Sequence, residues 1–146
     1  MYNQGIHSLS PNTLPGEISK ISDKNGKIAL HHAVKNGGSK EVIRCLIESS
    51  PESMTVQDNH KNAPLHAYLK NEKLEGSLSS SIISMLLSPR VASLVDRKNR
   101  TSLHLAVIAK KIIRLKALRM IIDANRSSLL AKDFYGRTQL HIAFLE

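Results

Sequence analysis

The chain of 146 residues repeats itself four times. DKNGKIALHHAV begins at Asp23, DNHKNAPLHAYL at Asp58, DRKNRTSLHLAV at Asp96 and DFYGRTQLHIAF at Asp133, so the starts lie 35, 38 and 37 residues apart. Each segment has Asp first, Leu eighth and His ninth. A period in this range marks a stack of units, none of which can bury its apolar face alone.

The unit can be read from its residues. Asp followed three positions later by Asn or Gly is turn chemistry, because Gly and Asn reach positive φ cheaply. Leu30, Ala33 and Val34 then fall at i, i+3 and i+4, one face of a short helix. Leu65, Tyr68 and Leu69 repeat that spacing, as do Leu103, Ala106 and Val107, and Leu140, Ala143 and Phe144. A polar turn follows, NGGSK in the first unit. A second apolar run comes next: Val42, Ile43, Leu46 and Ile47, then Ile82, Ile83, Leu86 and Leu87, then Ala117, Leu118, Ile121 and Ile122. The unit closes on a polar break such as SSPES at residues 49–53. Each unit is therefore turn, helix, turn, helix, and helices this short are stable only when packed. With two Phe, three Tyr and no Trp, the core must come from Leu, Ile, Val and Ala.

At the start of each first helix stand IALHHA, APLHAY, TSLHLA and TQLHIA. With the two-helix pattern behind them, they resemble the T-P-L-H-x-A signature of the ankyrin repeat. The resemblance covers residues 23–146. It implies an all-α solenoid of helix-turn-helix units joined by short β-hairpin-like turns. The repeats would be residues 23–57, 58–95, 96–132 and, in part, 133–146. Residues 1–22 would be a tail, with a capping turn near residues 14–18. Tyr68 replaces the family's Ala, so that unit must open to hold a ring. Lys61 and Asn99 replace its hairpin Gly. The second hairpin is therefore expected to be strained, or to shift its positive φ to Asn59 or Asn62. The fourth unit stops about one helix in, without a polar cap. That implies a longer chain or a partner over that end.

Seven histidines invite a metal reading, and His31 and His32 are adjacent. His31, His66, His104 and His141 hold one repeat position, so the resemblance sets neighbours about 10 Å apart, whereas a metal gathers its ligands within about 2 Å. The resemblance gives these four a structural role, bonding the backbone of their own hairpins. His7 and His60 are scattered, and no H-x3-H or C-x2-C spacing supports zinc. His32 belongs to no set and reads as a half-exposed helix residue. Cys45, the single cysteine, sits beside Leu46 and reads as a core thiol. It cannot form an intramolecular disulfide, which leans toward a reducing compartment. No nucleophile elbow, phosphate loop or carboxylate pair is present, so no catalysis, no cofactor, no metal and no small-molecule substrate are expected.

What remains is a surface. The net charge is +9, from 21 Lys/Arg and 12 Asp/Glu. Residues 90–137 hold 12 of the cations and 3 of the anions, so 12 − 3 = +9 resides there, and the rest is neutral. Such asymmetry favours an acidic partner: an acidic protein face, nucleic acid or an anionic membrane. The bland alternative is a solvated surface. In the ankyrin family partners sit on the concave side, on hairpin tips and inner helices. The resemblance carries that role to Lys24, Lys27, His32, Lys35, Arg97, Lys98, Arg100, Ile108, Phe134, Tyr135 and Arg137. The run KKIIRLK at residues 110–116 is a separate basic feature, able to meet lipid or nucleic acid or to act as a nuclear import signal. The expectation is a protein-binding scaffold with an acidic partner. Nucleic-acid or anionic-membrane association, and a docking arm of a larger protein, are the alternatives. No signal peptide or membrane span is legible, which suits an intracellular protein, cytoplasmic or nuclear.

Overall fold

An aspartate organises the opening turn of every unit. Asp23 N–H donates to the Lys27 carbonyl and Gly26 N–H donates back to the Asp23 carbonyl, each at 2.9 Å. The Asp23 carboxylate then accepts from the N–H groups of Asn25 and Lys27 at 2.8 and 3.0 Å. Asp58, Asp96 and Asp133 repeat the pattern, accepting from the N–H groups two and four residues on. The left-handed residue stands at the same place in each turn: Gly26, Lys61, Asn99 and Gly136, with φ of 74°, 59°, 56° and 73°. Positive φ therefore does not move to Asn59 or Asn62 in the second unit; Lys61 adopts it. Both backbone bonds of the turn are fixed at Asp58, which leaves Lys61 no other conformation.

The computed structural model describes residues 17, 20–73, 78–109 and 115–145. In the first unit α1 (Ala29–Lys35) and α2 (Lys40–Ser49) lead to a 3-10 turn (Pro51–Thr55). The second has α3 (Pro64–Leu69), α4 (Ser80–Leu86) and a short α5 (Pro89–Ser93). The third has α6 (Ser102–Ile108), α7 (Leu115–Ala124) and another 3-10 turn (Arg126–Leu130). The fourth contributes α8 (Gln139–Leu145). Among the described residues no strand is present. The fold is all-α, as the pattern required.

The inner helices α1, α3, α6 and α8 contact one another in sequence, and α2, α4 and α7 form the outer layer. Leu30, Val34, Leu65, Leu69, Leu103 and Ala106 are buried between the layers, facing Ile43, Ile83, Leu86, Ala117 and Ile121. Tyr68 is accommodated in full: its ring is buried and its hydroxyl accepts from Ser79 N–H at 2.9 Å. Side-chain caps start three of the helices, Ser39 for α2, Ser88 for α5 and Thr101 for α6, each accepting from the N–H three residues on. In the fourth unit the apolar face of α8 is bare, with Leu140 and Phe144 exposed.

The polar break after the second helix is ordered: Ser50 and Asn125 share φ −154° and ψ 91°, and each starts a 3-10 turn with a buried serine, Ser53 and Ser128. Cys45 is exposed rather than a core thiol. At 100° per residue it lies about 200° around α2 from buried Ile43, on the opposite face. The capping turn expected near residues 14–18 lies outside the described residues except for Glu17, which is helical, and the KKIIRLK run does so up to residue 114. No helix among the described residues is long and apolar enough to cross a membrane.

Candidate partner-binding surface

The repeat histidines act in two directions. Nδ1 accepts the N–H of the residue three before it: Ile28 for His31, Ala63 for His66, Thr101 for His104 and Thr138 for His141, at 3.1–3.2 Å. An accepting Nδ1 leaves the proton on Nε2. Nε2 of His31 then donates to the Asn62 carbonyl at 2.8 Å, and that of His104 to the Arg137 carbonyl at 3.1 Å. His31 and His104 thus fix their own helix starts and also grip the hairpin of the next unit. Buried His66 differs: its Nε2 feels the Leu94 carbonyl but meets no partner in hydrogen-bonding geometry. Burial lowers the pKa of His31 and His104, and pushes His66 down to about 4, helped by the Lys70 charge. These rings are neutral structural parts. Among the described residues no group of three or more His, Cys, Asp or Glu could hold a metal ion.

The outer oxygen of the hairpin aspartate is usually closed by a cation or a ring nitrogen. Arg100 binds Asp96 through Nε and an Nη, at 2.9 and 2.7 Å, and Arg137 binds Asp133 likewise at 3.0 and 2.9 Å. Lys70 reaches Asp96 from the preceding unit at 2.8 Å. Burial alone would raise the Asp96 carboxyl, but bonds from Arg100 and Lys70 outweigh it and hold it well below the ordinary carboxylate range. His32 occupies the same place in the first unit, with Nε2 2.9 Å from Asp23. Among the described residues Asp58 has no ion-pair partner. Arg100, Arg137 and His32, expected at a partner surface, are therefore already engaged by their own hairpins. Arg137 also lies 5.0 Å from the Tyr135 ring centroid.

The remaining tip residues stand in a row. Asn59 N–H donates to the Asn25 carbonyl, Arg97 N–H to the His60 carbonyl and Phe134 N–H to the Lys98 carbonyl, at 3.0, 3.3 and 2.8 Å. This ladder sets neighbouring tips side by side. Gly26 sits beneath it, where a Cβ would meet the Asn59 Oδ1 at 2.6 Å. Lys24, Arg97 and Lys98 are exposed. Phe134 and Tyr135 are 75% and 64% exposed and pack edge to face at 5.5 Å.

Behind the tips the inner helices form two adjoining hollows. One, of about 320 Å³, includes Lys27, Lys35, Asp58, Lys70 and Lys73 in its lining. The other, of about 560 Å³, has Leu69, Leu105, Ile108 and Ala109 in its lining, with Arg100 at its side. Lys70, Asn71 and Glu72 form the wall between them. Asn71 is buried, and its amide donates to the Val34 and Lys35 carbonyls at the end of α1. Glu72 and Lys73 escaped the sequence reading, because both lie past the end of the helical period.

A family model, the ankyrin repeat, matches residues 25–59, from the first hairpin tip to the second. Residues 25–59 are an ankyrin repeat. The match spans one unit; the later hairpins are tied to it by the recurring aspartate turn and histidine bonds described above. Ankyrin repeats as a class bind other proteins and are typically non-catalytic. A comparison with curated proteins finds no match.

Proposed function

We propose that residues 23–146 act as one ankyrin scaffold that captures a protein with an acidic face through its hairpin tips and inner helices. The observation that carries this reading is the row of tips, in which Lys24, Arg97 and Lys98 are exposed beside the aromatic pair Phe134 and Tyr135. Exposed cations steer an acidic partner and set its register, while aromatic side chains supply interface energy. The exposed lone thiol of Cys45 suits a reducing, intracellular setting.

The test is capture from a native lysate by the wild type and by the Arg97→Glu, Lys98→Glu double variant. Arg100 stays untouched, since a glutamate there would face Asp96 and damage the fold. Capture of an acidic protein should be lost while helical circular dichroism is unchanged; persistence of capture excludes the tips. The concentration of charge in residues 90–137 also favours a second reading, association with nucleic acid or an anionic membrane. A salt titration against duplex DNA, RNA and acidic vesicles separates the two, because phosphate binding falls steeply with salt regardless of sequence.

A further inference from the structure

The two hollows behind the tips differ in chemistry and share a wall. In the smaller one Lys27, Lys35 and Lys73 share the lining, with Lys27 near enough for its charge to act on Lys35. None of the three has an ion-pair partner among the described residues. Lys70 lines the hollow too but is held by Asp96. Asp58 and Glu72 oppose them, so with Lys70 paired elsewhere the lining carries three cations against two anions, 3 − 2 = +1. Asp58 is buried, with one carboxylate oxygen taken by the His60 and Asn62 N–H groups. Lysines that outnumber the anions of one hollow repel one another, and an incoming anion relieves that repulsion. The repulsion is visible on Lys35, whose pKa is lowered first by the charge of Lys27. The larger hollow has a floor of Leu69, Leu105, Ile108 and Ala109 and takes an apolar side chain.

We infer that the inner groove binds an extended peptide segment that places a carboxylate between Lys27, Lys35 and Lys73 and a large aliphatic side chain over Ile108, one unit further along. Neighbouring inner helices lie roughly 8–10 Å apart, which is about three residues of extended chain. The acidic and aliphatic residues of the ligand are therefore three apart. This rests on the protein-binding reading above and names the ligand for a part of the surface distinct from the tips.

The probe is the fluorescein-labelled peptide Glu-Glu-Gly-Ser-Leu-Gly, titrated by anisotropy against the full chain in low salt. It should bind, and the Glu-to-Gln and Leu-to-Ser versions should each bind about tenfold more weakly or worse. Lys27→Glu with Lys35→Glu should abolish the preference for Glu over Gln, and Ile108→Ser should abolish the preference for Leu over Ser while keeping that for Glu. Circular dichroism of each variant reports folding, and each preference is read within one variant, so a general loss of stability does not mimic the result. Absence of binding at millimolar peptide, equal binding of the Gln version, or tighter binding of a twelve-residue uridine RNA that the Lys27, Lys35 change removes would each overturn the inference. If the peptide fails but capture of an acidic protein still depends on Arg97 and Lys98, the groove falls and the tip reading stands. If both fail, both fall.

Discussion

Lys61 holds a left-handed backbone at φ 59° in the place where Gly26 and Gly136 stand in other units. A β-carbon there costs roughly 1–2 kcal/mol. Its side chain is exposed, while its N–H and carbonyl are both bonded, to the Asp58 carbonyl and from the Gln57 amide. Lys61→Gly keeps both backbone bonds and removes the clash, at some cost in unfolded-state entropy. The net expectation is a gain of about 0.5–1 kcal/mol, read as a higher denaturation midpoint in urea. No gain would mean that the turn tolerates the β-carbon. The strain at this residue was legible from a lysine standing where the other units carry glycine or asparagine. The location of the positive φ was not, because Asn59 and Asn62 are better left-handed residues in isolation. Two hydrogen bonds to Asp58 override that local preference.

At the scale of the element, the hairpin and its first helix form one polar unit around a carboxylate. Asp96 is almost fully buried and carries both Arg100 and Lys70. Removing one partner from a buried carboxylate is costly, even with a second cation in reach. Arg100→Ala should lower stability by about 2 kcal/mol, whereas Arg97→Ala, three positions away and exposed, should change it by less than about 0.5 kcal/mol. Matched thermal melts check the pair; equal effects would remove the distinction between structural and free arginines. Asn71→Ala should cost about 1–2 kcal/mol, since it strips the amide from the last carbonyls of α1. Hydrogen exchange of that helix would report it, and unchanged protection would count against the capping role. Helix positions and facing were legible because period 3.6 recurs in every unit. Cys45 was misread by adjacency: its neighbour Leu46 is on the packed stripe and it is not. The arginines could not be sorted from sequence either, since the fifth and second positions of the turn are equally polar.

Across the whole molecule, neutral imidazoles join the first unit to the second and the third to the fourth, and buried neutral rings shape the response to acid. His31 and His104 donate from Nε2 to the next hairpin while Nδ1 accepts from their own. Adding a proton to Nδ1 turns an acceptor toward a donor N–H. Their pKa values lie below the ordinary histidine value, and that of His66 is about 4. The unfolded chain therefore binds protons near pH 6.5 that the folded chain refuses. Stability is whole above pH 6.5 and falls as pH drops from there toward 4, with Asp96 adding a further loss below the ordinary carboxylate range. His66 alone accounts for roughly 2–3 kcal/mol between pH 7.5 and 4.5. His66→Gln should be less stable than the wild type at pH 7.5 yet lose less on acidification. Urea midpoints at both pH values decide it: an unchanged pH slope would show that His66 is not the group resisting protonation. The recurring Leu-His pair made these rings legible as structural. The inter-unit bonds were not, because they depend on how one unit sits on the next, and no single period encodes that. The same holds for the candidate groove, whose lysines come from a hairpin, a helix end and a loop of two different units.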